Sequence, residues 1–179
     1  MTGNKIYKMT MIGLMTALLC VLGPLSFPLP GGVPFTLTNM VIYLSVYLLG
    51  GKAGIISCGL YLIVGMCGLP VFSGYVGGVG RFVGPTGGFL IGFLLAAIMA
   101  GIFVEIFQGK RLPYAVGMVA GLLLSYISGT AWYMYAYNTS LWATLVTCVF
   151  PFVIFDIVKV IIVALIGPMI RKRLSAYLH

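Results

Sequence analysis

The chain has 179 residues, of which 61% are hydrophobic and 7% are charged, and its formal net charge is +8. About a quarter of the residues in an ordinary soluble domain are charged, so this composition excludes a soluble globular domain. Because every backbone amide in lipid needs an internal hydrogen-bond partner, the apolar runs must be helices. The sequence therefore predicts an all-α, polytopic membrane protein that forms a single domain over residues 1–179.

Six apolar runs, separated by sequence rich in proline and glycine, predict six transmembrane helices. Proline cannot continue the helical hydrogen-bond ladder, and glycine commonly follows the end of a helix. In chain order the helices are expected over residues 6–22, 36–49, 53–69, 85–107, 113–135 and 142–170. The last run exceeds the ~20 residues that span a bilayer, so we expect it to tilt, to kink at Pro151 or to extend into the cytoplasm.

The basic residues predict topology rather than a nucleic-acid site, because most of them lie at the ends of the apolar runs. They precede the first run, separate the second from the third and the fourth from the fifth, and follow the last: Lys5, Lys8, Lys52, Lys110, Arg111, Arg171, Lys172 and Arg173. Cytoplasmic loops of membrane proteins carry an excess of lysine and arginine. We therefore expect both termini to face the cytoplasm, with a lipid bilayer and no nucleic acid as surroundings.

A connection rich in proline and glycine, residues 25–35, and a glycine-rich connection, residues 71–84, are expected on the extracellular side. The first is expected to lie over the extracellular mouth or to fold against protein. The second contains five glycines and Arg81, a charge on the side that is otherwise nearly free of basic residues. The planar guanidinium of arginine suits a carboxylate, and a glycine such as Gly78 lets the backbone approach a ligand closely. Arg81 therefore indicates either a ligand contact or an anchor to lipid headgroups.

Asp156 and Lys159 are two ionisable residues inside the last apolar run. Their spacing places both side chains on one face of a helix. Each such charge near the bilayer centre costs about 2.5–3.5 kcal/mol, which favours a polar ligand site over an ion pair that only neutralises itself. The carboxylate can accept hydrogen bonds from N–H groups, and the lysine can serve a carbonyl or a carboxylate.

Two further polar residues are candidates for the same pocket. Asn39 is expected near the extracellular end of the second helix, and Thr86 lies at the amino end of the fourth helix. Free amides and the helix dipole at such an end favour an anion. An aromatic belt at the extracellular ends of the last two helices is the expected role of most of six residues, although one or two could pack against a flat ligand ring. They are Tyr126, Trp132, Tyr133, Tyr135, Tyr137 and Trp142.

The sequence predicts no enzyme, metal site or cofactor. The four cysteines lie in apolar runs without C-x-x-C spacing, and the single histidine is the terminal His179. No Ser/His/Asp constellation is therefore available, and Gly51-Lys52 lacks the upstream glycine of a phosphate loop. On the first helix, Gly13 and Ala17 form a small-xxx-small pair that fits either internal packing or a partner subunit.

Several segments, in order, resemble the BioY family, the biotin-specific membrane subunits of energy-coupling factor transporters. They are Gly68-Leu69-Pro70-Val71-Phe72, Gly77-Gly78, Gly84-Pro85-Thr86-Gly87-Gly88-Phe89, and Pro151-Phe152 with Asp156-x-x-Lys159. The resemblance extends over nearly the whole chain and includes Pro34-Phe35-Thr36. Phe155 is a departure, since related sequences usually have a glycine at this position.

The resemblance implies a six-helix subunit in the cell membrane that captures biotin on the outside. It implies a transmembrane coupling subunit and two ATP-binding subunits as partners, with Gly13 and Ala17 at the docking face. It also implies that Asp156 and Lys159 bind biotin. The Asp156 carboxylate would accept a hydrogen bond from a ureido N–H, and Lys159 would donate to the ureido oxygen or to the carboxylate of biotin. A subunit for another vitamin and a stand-alone secondary transporter of a small carboxylate remain alternatives.

Overall fold

The computed structural model describes residues 2–27, 33–108 and 110–176. The helices are α1 Thr2–Leu22, α2 Thr38–Leu49, α3 Gly51–Met66, α4 Gly80–Val83, α5 Gly87–Ile106, α6 Arg111–Tyr137, α7 Leu141–Cys148 and α8 Phe150–Ala176. Two short strands, β1 Ser26–Phe27 and β2 Phe35–Thr36, pair in antiparallel fashion between α1 and α2. The mostly helical fold that the composition predicts is confirmed.

Within the described residues, four helices are long and apolar enough to cross a membrane. They are α1 over Lys5–Leu22, α5, α6, and α8 over Phe150–Arg173. The helices α2 and α3 are also apolar, but with 12 and 16 residues they are shorter than the ~20 residues of a typical span. Six crossings and cytoplasmic termini therefore stay predictions.

The predicted last helix is divided into two helices in the structure. Helix α7 ends at Cys148, Val149 has φ −123° and ψ −61°, and α8 begins at Phe150. Pro151 thus occupies the first turn of α8, where its missing N–H does not interrupt a hydrogen bond. The break at Val149 therefore places Asp156 and Lys159 on a helix separate from α7.

The connection between α1 and α2 contains more regular structure than the sequence predicts. Ser26 pairs with Thr36 and Phe27 with Phe35. Leu37 follows as the residue before α2, which has no side-chain cap. The sequence predicts that residues 25–35 lie over the extracellular mouth or fold against protein. Residues 28–32 of this segment lie outside the described residues. Residues 33–36, which we call the cover segment, are described and lie against α8.

Helices α2 and α3 form a tight hairpin that depends on glycine. Gly50 joins them at φ +88°, in the left-handed region that glycine adopts readily. Gly54 of α3 lies against Val46 of α2, and a Cβ added there would clash with the Val46 Cα and lie 2.8 Å from its backbone nitrogen. Small residues at such positions let two helix backbones approach closely in a membrane.

Substitution of Gly54 by alanine should therefore destabilise the fold. Overpacking of a well-packed contact typically costs about 1–3 kcal/mol, and here the clashing atoms belong to the backbone and cannot rotate away. Gly59→Ala on the same helix is the matched control, because a Cβ there meets nothing within 4 Å. We expect thermal unfolding in detergent to show a lower Tm for Gly54→Ala alone. An equal Tm for the two variants would contradict this packing.

Candidate ligand-binding site

Asp156 and Lys159 form a buried ion pair on one face of α8. The Lys159 Nζ lies 2.7 Å from the Asp156 Oδ1, and each residue is 5% exposed. The same Nζ donates to the backbone carbonyl of Thr36 at 2.6 Å and lies 4.1 Å from the centre of the Phe35 ring. The pair therefore links α8 directly to the cover segment.

Tyr126 contributes a contact that the sequence analysis missed. Its hydroxyl donates to the Asp156 Oδ2 at 2.7 Å, so both carboxylate oxygens of Asp156 have partners in the protein. Whereas the aromatic belt is expected at the helix ends, Tyr126 lies in the middle of α6 and lines the cavity. Its position six residues before Trp132 is the signal that was available, since six helical residues correspond to ~9 Å of depth.

The ion pair lies in the wall of a cavity formed by α2, α5, α6, α7, α8, the cover segment and the 71–84 connection. The cavity contains about 520 Å³ of empty space, part of it open to solvent. Most of its wall is apolar, with a few convergent polar groups. The lining residues are Val33, Pro34, Thr36, Asn39, Ser73, Thr86, Phe89, Leu90, Phe93, Ser125, Tyr126, Cys148, Phe152, Asp156 and Lys159.

Asn39 and Thr86 enter the same cavity, one from α2 and the other from the residue before α5. The Asn39 Oδ1 and the Thr86 Oγ1 are buried, and neither has a hydrogen-bond partner among the described residues. An unsatisfied buried polar atom costs roughly 1–3 kcal/mol, so a ligand with N–H or O–H groups would stabilise this arrangement. Four of the six predicted binding residues thus line one cavity.

The other two predicted binding residues, Arg81 and Gly78, lie outside the cavity wall. Arg81 donates from its Nη2 to the Ser73 carbonyl at 2.9 Å, and its buried Nε has no partner among the described residues. Since Ser73 lines the cavity, Arg81 stands directly behind the wall. Gly78 has φ +96° and donates its N–H to the Gly65 carbonyl at 2.7 Å, so it shapes the connection instead.

The small-residue pair of α1 faces away from the rest of the chain. Gly13 and Ala17 are exposed, and a Cβ at Gly13 would meet no atom within 4 Å. The buried face of α1 packs on α3 instead, where the hydroxyls of Thr16 and Ser57 lie 3.2 Å apart. The described residues thus do not support internal packing as the role of this pair.

No group of three or more histidine, cysteine or acidic residues that could hold a metal occurs among residues 2–27, 33–108 and 110–176. The four cysteines are free, and Cys148 is buried in the cavity wall. Glu105 is exposed and accepts a hydrogen bond from the backbone N–H of Lys52 at 3.2 Å. The donor set of the cavity therefore suits an organic ligand with hydrogen-bonding groups.

The family model described as BioY matches residues 1–176 of the chain. This chain belongs to the BioY family. The biotin transporter BioY of Thermotoga maritima is 39% identical over 160 residues, which cover 89% of this chain and 93% of that protein. The biotin transporter BioY2 of Lactococcus lactis is 33% identical over 176 residues, which cover 98% of this chain and 96% of that protein. Family membership confirms the prediction that the chain is not an enzyme.

Two solved structures resemble this BioY family member. The crystal structure of the S-component for biotin from an ECF-type ABC transporter superposes with a TM-score of 0.89 at 30% identity, over 96% of this chain and 94% of that one. The S component of a bacterial ECF transporter superposes with a TM-score of 0.52 at 19% identity, over 97% and 98%. The first likeness supports family and fold, and the second supports the fold alone. With its apolar helices, the chain is a membrane protein.

Proposed function

We propose that this chain captures biotin as the membrane substrate-binding subunit of an ECF-type transporter. The observation that carries the proposal is the buried pair of Asp156 and Lys159, oriented by Tyr126, in a cavity with unsatisfied oxygens. The similar proteins named as biotin transporters and the structure of a biotin S-component support it. A buried charge pair in a largely apolar wall matches a ligand that is polar at one end and apolar along its body.

The bicyclic end of biotin fits the groups around the ion pair. Its ureido ring offers two N–H donors and one carbonyl, and each carboxylate oxygen of Asp156 keeps a lone pair beyond its present hydrogen bond. Lys159 has three N–H donors, of which Asp156 and Thr36 occupy two. The third is therefore available for the ureido oxygen, and the oxygens of Asn39 and Thr86 are available for further contacts.

The remaining parts of biotin meet different surroundings in this arrangement. The thiophane ring and the aliphatic chain would lie against the apolar wall, to which Phe89, Phe93 and Phe152 contribute. Arg81 lies behind the wall at Ser73, so its positive charge would favour the terminal carboxylate on that side of the cavity without a direct contact. Removal of these polar groups from water strengthens each electrostatic contact.

The proposal includes the topology and partners that family membership implies. The chain would cross the cell membrane six times with both termini in the cytoplasm, and α7 with α8 would form the sixth crossing. A transmembrane coupling subunit would dock on α1 at Gly13 and Ala17, whose exposure leaves room for another helix. Two ATP-binding subunits would supply the energy, because the chain carries no phosphate loop of its own.

Binding of radiolabelled biotin, thiamine and riboflavin to the purified protein tests the ligand. We expect biotin alone to saturate the site, whereas binding of another vitamin without biotin would overturn the assignment. Uptake in cells with and without the coupling and ATP-binding subunits tests the mode of transport. Full accumulation without them would instead indicate a stand-alone secondary transporter.

Substitution of Tyr126 by phenylalanine should weaken biotin binding without removing it. The carboxylate of Asp156 would lose the hydroxyl that orients its Oδ2, and immobilising such a side chain on binding costs about 0.5–1.5 kcal/mol. We therefore expect a Kd roughly 2- to 13-fold higher. Tyr135→Phe on the same helix is the control, because Tyr135 is 82% exposed and does not line the cavity. An equal effect of both substitutions would contradict the role of Tyr126.

A further inference from the structure

Phe155 lies outside the cavity but packs on the segment that covers it. Its ring meets the ring of Phe35 edge to face, with centroids 5.1 Å apart and an interplanar angle of 61°. Phe35 in turn lies beneath the Lys159 ammonium, whose Nζ is 4.1 Å from the ring centre. Phe155, Phe35 and Lys159 therefore form a stack that joins α8 to the cover segment, and we call it the aromatic clasp.

The cover segment closes one side of the cavity. Val33, Pro34 and Thr36 line the cavity, whereas Phe35 does not. Val33 is 6% exposed and belongs to the apolar cluster that contains Cys148, which is 0% exposed. Displacement of the cover segment would therefore uncover Cys148 and open the cavity to water.

Among the described residues, the cover segment is held by the clasp, by the packing of Val33 in the apolar cluster that contains Cys148 and by its pairing with β1. Its pairing with β1 extends over only two residues in each strand, and an isolated two-stranded hairpin is marginal in water. Lys159 contributes one hydrogen bond to the Thr36 carbonyl, but Lys159 must also serve the ligand. Phe155 has no atom in the cavity wall, so it can hold the segment without taking part in ligand recognition.

We propose that Phe155 is a positioning residue, which holds the cover segment over the cavity through Phe35 and thereby sets the rate at which the cavity opens. The effect on opening is a property of the protein without ligand. The corresponding effect on the release of biotin rests on the proposed function.

The reactivity of Cys148 toward a water-soluble maleimide tests the opening without any ligand. The test uses the full chain in detergent with Cys20→Ala, Cys58→Ala and Cys67→Ser, so that Cys148 is the remaining thiol. The loss of an edge-to-face ring pair corresponds to a change of roughly 2- to 13-fold in an equilibrium constant. We expect Phe155→Ala to accelerate the modification of Cys148 by this factor and Phe155→Tyr, which keeps the ring, to restore the original rate.

Ile154→Ala is the matched control, because Ile154 precedes Phe155 on α8, is 72% exposed and does not line the cavity. It should leave the rate unchanged. In a double-mutant cycle, Phe35→Ala and Phe155→Ala together should accelerate labelling less than the product of their separate effects. An unchanged rate for Phe155→Ala, an equal increase for Ile154→Ala, or independent effects in the cycle would overturn the proposal.

The release of bound biotin provides a second readout. Phe155→Ala should increase the dissociation rate constant of radiolabelled biotin by a similar factor, again with rescue by Phe155→Tyr. Absence of biotin binding in the parent protein would overturn the proposed function, while the labelling of Cys148 would still decide the role of Phe155. Faster labelling with unchanged biotin release would overturn the part of the inference that concerns the ligand.

Discussion

Substitution of Asp156 by asparagine is expected to raise the Kd for biotin by roughly 30- to 4,000-fold. Loss of one member of a buried, hydrogen-bonded charge pair at a binding site costs about 2–5 kcal/mol. Asp156 is 5% exposed and receives hydrogen bonds from both Lys159 and Tyr126, so no solvent replaces the lost charge. An asparagine also presents only one acceptor oxygen to the two ureido N–H groups. Equilibrium binding to the purified protein measures the effect.

The sequence offers a direct control for this substitution. Glu105 is the only acidic residue besides Asp156, and it is exposed and does not line the cavity. Glu105→Gln should therefore leave the Kd unchanged. Biotin affinity in Asp156→Asn equal to that of the parent protein would remove Asp156 from the site.

Substitution of Lys159 by methionine should reduce stability as well as binding. It would leave the Asp156 carboxylate buried without its cation and the Thr36 carbonyl without its donor. Removal of one partner from a buried ion pair costs about 3–5 kcal/mol, whereas replacement of both partners by neutral groups is often tolerated. We therefore expect Lys159→Met to lower the free energy of unfolding in detergent by this amount. The double variant with Asp156→Asn should recover most of the loss.

Biotin binding should behave differently from stability in the same series. The double variant keeps the shape of the pair but lacks both charged partners for the ureido group, so its affinity should stay low. Lys52→Met is the control, since Lys52 is exposed and its interaction with Glu105 uses the backbone N–H. A double variant as unstable as Lys159→Met would show that the loss does not arise from an uncompensated charge.

The spacing of residues along the sequence was sufficient to predict those structural features that depend on neighbouring residues in the chain. The apolar composition requires a membrane, and the membrane requires helices, because lipid offers no partner to a backbone amide. The expected helix over 85–107 corresponds to Gly87–Ile106, since glycine and proline mark its start. The three-residue spacing of Asp156 and Lys159 placed both on one helical face, because the helix repeats every 3.6 residues.

The sequence-based predictions differed from the structure where a single proline or glycine could act in two ways. The run over 142–170 shows no polar segment that would mark a helix end, and a proline inside such a run can either kink one helix or begin another. The structure separates α7 from α8 at Val149. Gly78 was likewise ambiguous, because glycine serves both close ligand approach and positive φ, and its φ of +96° shows the second role.

The complete site depended on tertiary structure. Tyr126 and Thr36 reach the ion pair from 30 and 123 residues away in sequence. Such contacts follow from the rotation and depth at which helices pack, which the helical repeat of one segment does not determine. The sequence by itself thus determined the membrane, the helices and the charge pair at the centre of the site. Only the packing of α6, α8 and the cover segment decided which side chains complete that site, because those contacts join separate parts of the chain.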